Sequence, residues 1–325
     1  MQLILTSTAN RWPAPVCGAR AASRARGPAV AAACIGLAAL LSCGGPAKPK
    51  SSDLQVLCAV YPAYVVAKEV VNGVPGIQVD LLLAEDAGCP HHYDITPGDR
   101  RRLSEANVLV TIGAGFELFL AKTLESAGPS LRVIDSSAGV TLLPGREESG
   151  GEPNPHTWVS PRNAGRMART IAEGLTSAHP SGADAFKRNA VAFQESCERL
   201  AGEWSEAARG LQIRRFASVH EIFDYLAADS GFEIPIVLRS SEGSDPTPRR
   251  IAEVIAATSG GGAAGILTEP QFPSEWPDRI SRETGVPVIM LDPMATGSRD
   301  SRYVDVMRAN LAKFILGAKG VGQGK

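Results

Sequence analysis

Histidine is scarce in this chain of 325 residues, which contains five, yet two of the five are adjacent as His91 and His92. A member of this pair could combine with His156, His220 and the carboxylate of Asp292 to give three imidazoles and one carboxylate. Such a set suits a borderline-soft divalent ion such as zinc, which binds neutral imidazole nitrogen and ionised carboxylate oxygen. The candidates stand 64 to 72 residues apart, so no short motif of the HExxH type joins them and only the fold could bring them together.

The elements that would position these residues fall into two similar groups. Apolar, β-branched segments alternate with segments of helical period, four times in each group. The predicted strands are residues 54–60, 77–83, 108–114 and 131–135, then 216–219, 234–238, 265–268 and 286–291. Because strands separated by helices favour parallel sheets, we predict an α/β fold of two lobes, each with a four-stranded, mainly parallel sheet flanked by helices.

A different pattern separates the two groups of strands. Residues 161 to about 208 have almost no strand signal, and their helical period is interrupted at 179–182. The part after the interruption would be about 39 Å long as a continuous helix, which is enough to cross a molecule of two lobes. We therefore predict that a long, rigid backbone helix joins the lobes.

Local signals predict further helices within the lobes. Thr96 and Asp99 offer an N-cap and an acid at the third helical position, with a proline at the first, so a helix begins there and runs to about Asn107. Helical patterns also cover residues 116–128 and 301–316.

The candidate ligands all lie past the ends of predicted strands. His91 and its neighbour follow the second strand, and His156 follows the fourth. In the second lobe, His220 and Asp292 directly follow the first and the last strand. Ligands of open α/β sheets bind beyond the carboxyl ends of the strands. With two groups from each lobe, one metal site in the cleft between the lobes is the simplest interpretation.

The N-terminal residues predict export. A basic region without acidic residues precedes an apolar run of thirteen residues at 29–41, which is typical of a signal peptide and shorter than the roughly 20 residues of a membrane-spanning helix. The sequence Leu-Leu-Ser before Cys43 resembles the lipobox of bacterial lipoproteins, in which the cysteine carries the lipid anchor. An ordinary signal peptide with an incidental cysteine is the alternative. The basic region is long for a signal, so the true start codon could lie downstream.

Five segments follow from these patterns: a signal peptide at 1–42, a flexible tether at 43–53, a first lobe at 54–178, a linking helix at 179–210 and a second lobe at 211–325. The formal net charge is −1 and no basic run or stripe is present, so we expect no nucleic-acid partner. The expected location is periplasmic or at the cell surface, anchored to the membrane through lipid.

The cysteines form no recognisable framework. Apart from the predicted signal peptide and Cys43, the chain has Cys58, Cys89 and Cys197 at spacings that do not repeat. This pattern is neither a set of disulfides nor a CxxC metal site. A single disulfide between Cys58 and Cys89 remains an alternative to three free thiols.

Several segments resemble the solute-binding lipoproteins of bacterial ABC importers for zinc and manganese. "CPHHYDITPGDRRRLSEANVLVTIGAGFE" is similar to the family segment in which Pro-His-x-Tyr/Phe is followed by x-x-x-Pro-x-Asp and a Gly-x-Gly-x-Glu turn. "NPHTWVSPRNAGRMARTIAEGL" and "HEIFDYLAADSGFE" look like its second and third histidine motifs. "EGSDPTPRRIAEVI", "TEPQF" and "VIMLDPM" look like its C-terminal lobe, so the resemblance covers nearly the whole mature chain.

The resemblance implies a ligand for each motif and a function for the chain. It assigns the first ligand to His91 and leaves His92 in the variable position, and it makes His156, His220 and Asp292 the other three. It further implies a monomer that is not an enzyme, that binds one ion between the lobes and that delivers the ion to the permease and ATPase subunits of an importer. The linking helix would limit movement between the lobes.

Some positions depart from the family pattern. Many relatives have an acid where Cys89 and Asn154 stand; Cys89 could be a reactive thiol or an occasional ligand, or simply a small loop residue. Glu269, which also follows a strand, is the alternative carboxylate, and His179 is expected to cap a helix at the surface. The Gly/Pro/Glu-rich loop 138–155 contains no histidine, whereas many zinc importers of this type carry a His-rich loop there.

Other metals and other functions are compatible with parts of the pattern. Three imidazoles with one carboxylate favour Zn²⁺, whereas Mn²⁺ prefers more oxygen ligands and, with iron, remains the alternative cargo. A zinc-dependent enzyme would keep a coordination position open for water, which four protein ligands do not leave. A siderophore or haem binder would share the shape of the fold, but its cleft would be expected to hold arginines and aromatic residues. A surface adhesin is compatible with the lipoprotein signal and has no feature of its own here.

Overall fold

The computed structural model describes residues 53–84, 93–125, 130–146, 152–239, 245–271 and 275–319. The predicted signal peptide, Cys43 and the segment that contains Cys89, His91 and His92 lie outside the described residues. None of the helices in the described segments has both the length and the apolarity needed to cross a membrane.

The strands of the described residues form two four-stranded parallel sheets. The first contains β1 (Leu54–Cys58), β2 (Ile77–Leu81), β3 (Val108–Thr111) and β4 (Arg132–Asp135). The second contains β5 (Arg215–Ser218), β6 (Glu233–Val237), β7 (Ile266–Thr268) and β8 (Val288–Met290). The spatial orders are β2-β1-β3-β4 and β6-β5-β7-β8, and every pairing between these strands is parallel. The two lobes therefore share one topology, and the predicted fold class is confirmed.

Helices cover the faces of both sheets. They are α1 (Tyr61–Val71), α2 (Pro97–Glu105), α3 (Ala121–Glu125), α4 (Pro161–Ala178), α5 (Ala183–Arg209), α6 (Asp224–Ser230), α7 (Pro248–Thr258), α8 (Glu275–Thr284) and α9 (Tyr303–Lys319). The N-terminus of α2 has the predicted capping box: the Thr96 hydroxyl accepts a hydrogen bond from Asp99 N at 3.2 Å, and the Asp99 carboxylate accepts one from Thr96 N at 2.9 Å.

Helix α5 is the predicted backbone helix, and it packs against both lobes. It is 27 residues long and follows a 3₁₀ turn at Pro180–Gly182, where the sequence interrupts the helical period. Its buried residues recur every three or four positions: Phe186, Ala190, Phe193, Cys197, Leu200, Ala201, Trp204 and Ala208. Towards the first lobe, Asn189 donates hydrogen bonds to the carbonyl oxygens of Val70 and Asn72 at the end of α1. Towards the second lobe, the ring of Trp204 lies 5.1 Å from that of Phe314 on α9. One apolar face of α5 is thus shared between both halves of the core.

The prediction of one helix over residues 116–128 was wrong at its start. The structure has a 3₁₀ turn at Leu118–Leu120 followed by the short helix α3. The turn before it has three successive residues with positive φ, Gly113, Ala114 and Gly115. These left-handed residues follow the end of β3 at Thr111. Because helical residues need negative φ, the helix cannot begin before the turn ends at Gly115.

The segment after β8 returns to the first lobe. Tyr61 of α1 donates a hydrogen bond to the carbonyl oxygen of Ser298 at 2.8 Å, and Lys68 donates one to the carbonyl oxygen of Arg299, also at 2.8 Å. The guanidinium of Arg299 pairs with Asp80 at the end of β2 at 2.8 Å. This segment, residues 292–302, therefore joins the second lobe to the first at a place separate from α5.

Candidate metal centre

His156 and His220 come from different lobes and meet in the structure. His156 precedes the 3₁₀ turn Thr157–Val159, and His220 lies between β5 and the 3₁₀ turn Glu221–Phe223. The centroids of the two imidazole rings are 4.9 Å apart, and the ring planes are nearly perpendicular. Both residues are buried. Two of the predicted ligands, which follow strands of different sheets in the chain, are therefore adjacent in the interior of the protein.

Aromatic side chains enclose His156 on its other sides. The ring centroids of Phe116 and Trp158 lie 5.8 Å and 5.3 Å from that of His156. Trp158 is held in turn by a hydrogen bond from its indole N–H to the carbonyl oxygen of Pro293 at 2.7 Å. Large apolar rings around the imidazole limit its rotation and keep water away, so they favour a fixed ligand. No role was predicted for these two residues from the sequence, although both lie within the quoted motif segments.

Glu269 lies beside His220. It follows β7, only 2% of the residue is exposed, and its Oε1 is 3.7 Å from Nδ1 of His220. The side-chain amide of Gln271 donates a hydrogen bond to the other carboxylate oxygen, Oε2. The alternative carboxylate of the sequence analysis is thus in contact range of one predicted ligand.

Asp292 is half-buried, and its carboxylate organises the loop that follows β8. Oδ1 accepts hydrogen bonds from the N–H groups of Ala295 at 2.7 Å and Thr296 at 3.2 Å, and Oδ2 accepts one from the Thr296 hydroxyl at 2.6 Å. The backbone of Asp292 is paired with the side chain of Asn310 on α9. Each carboxylate oxygen has two lone pairs, so these bonds leave capacity for a metal ion. The next residue, Pro293, connects this loop to the aromatic wall around His156 through Trp158.

The first predicted ligand, His91, lies in the segment 85–92, outside the described residues. The strand end from which this segment leaves is held by Arg102, which donates hydrogen bonds to the carbonyl oxygens of Leu81 and Leu82. Arg102 also pairs with Asp80 at 2.8 Å. Burial opposes the ionisation of Asp80, but its hydrogen bonds to Leu81 N–H, Arg299 and Arg102 outweigh burial and lower its pKa. The end of β2, from which this segment leaves, is therefore held by several hydrogen bonds.

Within the described ranges, no three His, Cys, Asp or Glu side chains are grouped closely enough to hold a metal ion. The structure thus brings together His156, His220 and Glu269 only as neighbours. His179 caps the C-terminus of α4, as expected, and its Nε2 lies 3.1 Å from the Ser181 hydroxyl. Cys58 and Cys197 are buried free thiols.

The chain matches the family model of the zinc-uptake complex component A, periplasmic (ZnuA), over residues 56–315. The chain belongs to this family. Among its relatives, the zinc-binding lipoprotein AdcA of Streptococcus pneumoniae is 25% identical over 289 residues, which are 84% of this chain and 57% of AdcA. The high-affinity zinc uptake system protein ZnuA of Bacillus subtilis is 24% identical over 304 residues, 87% of this chain and 94% of that protein. The chain therefore spans little more than half the length of AdcA.

Solved structures of ZnuA-like proteins have the same fold. A crystal structure of ZnuA superposes with a TM-score of 0.71 at 27% identity and covers 82% of this chain and 99% of the other. The binding protein FpvC from Pseudomonas aeruginosa, in complex with Mn²⁺, superposes with a TM-score of 0.72 at 26% identity and covers 83% of this chain and all of the other. The resemblance to metal-binding proteins of ABC importers that the motifs predicted is confirmed.

Proposed function

We propose that this protein is the substrate-binding component of an ABC importer for a divalent transition metal, with zinc as the physiological cargo. It binds one ion between the lobes and delivers it to a membrane permease that works with an ATPase. The observation that carries the proposal is the buried contact of His156 from the first lobe with His220 from the second, at 4.9 Å between ring centroids. Two neighbouring imidazoles from different lobes suit an ion that is held by both lobes.

We assign His91, His156, His220 and Asp292 as the ligands of the ion. A set of four protein ligands closes a tetrahedral zinc site and leaves no position for an activated water, so the protein binds metal and does not hydrolyse a substrate. Glu269, at 3.7 Å from His220, is the carboxylate that would take the fourth position if Asp292 did not.

Zinc is favoured over manganese by the donor atoms and by the relatives. Three imidazole nitrogens suit zinc better than manganese, and the two curated relatives described above are named for zinc. Affinity alone does not decide, since almost any such site binds zinc more tightly than manganese. A growth experiment decides between the two metals. A strain that lacks the gene should grow poorly under zinc chelation and recover when zinc is added, whereas rescue by manganese alone would make manganese the cargo.

The proposal includes the organisation of the exported chain. A signal peptide at 1–42 is removed, Cys43 carries a lipid anchor, and a tether at 43–53 connects it to the lobes at 54–178 and 211–325, which are joined through 179–210. The mature protein is a membrane-anchored monomer outside the cytoplasmic membrane. A Cys43→Ala variant should be released in soluble form or stay unprocessed, and full membrane retention of a cleaved variant would contradict the anchor.

The ligand set is tested by zinc titration of the metal-free protein and its single-alanine variants. One equivalent of zinc should bind, and alanine at His91, His156, His220 or Asp292 should weaken binding by at least ~10-fold, because each removes a direct ligand. His92→Ala is the matched control and should bind as the wild type does. A damaging His92→Ala with a harmless His91→Ala would move the first ligand by one position. A damaging Glu269→Gln with a harmless Asp292→Ala would move the fourth to Glu269.

A further inference from the structure

We propose that Asn154 is a positioning residue of the metal centre. Its side-chain amide determines which ring nitrogen His156 offers to the ion, and it links His156 to the turn that carries His220. This inference rests on the proposed function, in that it names the residue that prepares two ligands of the same site.

Asn154 lies in a loop, yet both its backbone and its side chain are hydrogen-bonded. Only 1% of the residue is exposed. Its backbone N–H donates to the carbonyl oxygen of Leu143 at 3.0 Å, and its backbone carbonyl accepts from the Tyr225 hydroxyl at 2.8 Å. Tyr225 belongs to α6 in the second lobe, and its hydroxyl also accepts from Leu143 N at 2.9 Å. The main chain of Asn154 is therefore built into the contact between the lobes.

Two backbone partners determine the orientation of the Asn154 amide. Its Oδ1 accepts from the N–H of His156 at 3.0 Å, and its Nδ2 donates to the carbonyl oxygen of Glu221 at 3.0 Å. A backbone N–H can only donate and a carbonyl oxygen can only accept, so the two ends of the amide cannot be exchanged. This matters because the oxygen and nitrogen of an asparagine are otherwise assigned from their surroundings.

The amide orientation then decides the tautomer of His156. Asn154 Oδ1 lies 2.8 Å from Nδ1 of the imidazole. Since Oδ1 can only accept, Nδ1 must carry the hydrogen, and the neutral ring has its lone pair on Nε2. A ligand histidine whose Nδ1–H is bound to an acceptor is oriented and made more basic at the other nitrogen. Asn154 thus prepares Nε2 of His156 as the metal ligand.

The other end of the amide bonds to the residue that follows the second histidine, through the carbonyl oxygen of Glu221. Glu221 directly follows His220 in the chain and begins the 3₁₀ turn at that point. The same loop sends Arg146 to this turn: Arg146 N donates to the Glu221 carboxylate at 3.3 Å. Asn154 of the first lobe therefore bonds directly to the side chain of His156 and to the backbone carbonyl of Glu221, the residue after His220. The relative position of the two rings is set before a metal ion arrives, which reduces the ordering that binding must impose.

Three variants separate positioning from a merely structural role. Asn154→Leu removes both bonds of the amide at similar volume. Asn154→Asp keeps an acceptor for Nδ1 of His156 and loses the donor to Glu221. Asn189→Asp is the matched control, because it removes amide donation to the carbonyl oxygens of Val70 and Asn72, at the contact of α5 with α1.

The first readout is the histidine tautomer, measured by long-range ¹H–¹⁵N correlation spectra of the metal-free proteins at pH 8. His156 should be the Nδ1–H tautomer in the wild type, in Asn154→Asp and in Asn189→Asp, and should lose this preference in Asn154→Leu. A wild-type His156 with its hydrogen on Nε2 would overturn the inference, whatever the variants do.

The second readout is zinc affinity by chelator competition. Asn154→Leu should bind zinc about 10- to 100-fold more weakly, in the range seen when the partner of a ligand histidine is removed, while Asn189→Asp binds as the wild type does. A folded Asn154→Leu with wild-type affinity would overturn the inference. Because the tautomer is measured without metal, a wild-type protein that binds no zinc but shows Nδ1–H at His156 would overturn the proposed function while supporting the action of Asn154 on the ring.

Discussion

Glu117 is a partly buried carboxylate that stabilises an unusual turn beside the candidate site. Its two oxygens accept hydrogen bonds from the backbone N–H groups of Ile112 at 2.6 Å and Gly113 at 3.0 Å. A side chain on Gly113 would place Cβ 1.8 Å from the Asp135 carboxylate, so the turn requires glycine there. The residue before Glu117, Phe116, packs on His156. The carboxylate of Glu117 thus supports the aromatic wall of the site through the backbone.

The pKa of Glu117 predicts a pH-dependent stability. Burial raises this pKa from 4.5 to about 7, against the opposing effect of the two backbone hydrogen bonds. The folded protein therefore holds this proton over a pH range in which the unfolded chain has lost it. Its contribution to stability is complete below pH 4.5 and is lost as the pH rises through about 7.

The wild type should lose up to about 3 kcal/mol of unfolding free energy relative to Glu117→Gln between pH 4.5 and pH 8, at ~1.4 kcal/mol per pKa unit. Urea unfolding of both metal-free proteins across this range measures the difference. Parallel pH profiles of the two proteins would contradict a raised pKa at Glu117.

At the scale of elements, the loop after β4 is fastened to helix α6. The guanidinium of Arg146 makes two hydrogen bonds to the Asp224 carboxylate, at 2.7 and 3.1 Å, and a third to the carbonyl oxygen of Ile234 at 2.8 Å. Burial of Asp224 raises its pKa more than the bonds to Arg146 lower it, so this carboxylate depends on its partner to remain charged. The pair lies mostly out of solvent, so removing one partner leaves the other charge poorly solvated and costs more than breaking a surface pair does.

Arg146→Met should therefore destabilise the protein by about 2 to 3 kcal/mol, because a charge-bearing buried group loses its partner. Arg146→Lys should recover little of this loss, since a single ammonium cannot make the planar bidentate contact. The control is Arg308→Met, which breaks an exposed pair with Glu203 and should cost about 0 to 1 kcal/mol. Chemical denaturation compares the three. Equal losses of unfolding free energy in Arg146→Met and Arg308→Met would show that Arg146 does not hold the loop against α6 in solution.

At the scale of the whole molecule, several groups of contacts between the described residues join the two lobes. Helix α5 shares its apolar face with both, the segment 292–302 bonds to α1 and β2, and the loop that contains Arg146 and Asn154 bonds to the turn after His220. Contacts on several sides of a cleft oppose a wide hinge motion, because opening must break all of them together.

We therefore expect metal binding to change the shape of the protein only slightly. The radius of gyration in small-angle X-ray scattering should differ by less than about 1 Å between metal-free and zinc-loaded protein, as for other preorganised binding sites. Measuring both forms at equal protein concentration, with a chelator in the metal-free sample, controls for association. A larger decrease on zinc addition would mean that these contacts open in the absence of metal.

Much of this architecture was determined by the sequence itself. The capping box at Thr96 and Asp99, the interruption at 179–182 and the apolar period of α5 are signals between residues a few positions apart. Such signals act through local hydrogen bonds and through one buried face, so they can be found without knowing the rest of the chain. The position of His220 directly after a strand followed from the same kind of pattern.

The tertiary structure decided which distant groups meet. Nothing in the local sequence could show that Glu269 lies 3.7 Å from His220, or that Asn154 binds both His156 and the carbonyl oxygen of Glu221. The delayed start of the helix near Leu118 also escaped prediction, because the hydrogen-bonded carboxylate of Glu117 and three left-handed residues shape the turn before it. These contacts join residues on loops, and a loop takes its path from the surfaces against which it packs rather than from the order of its own residues.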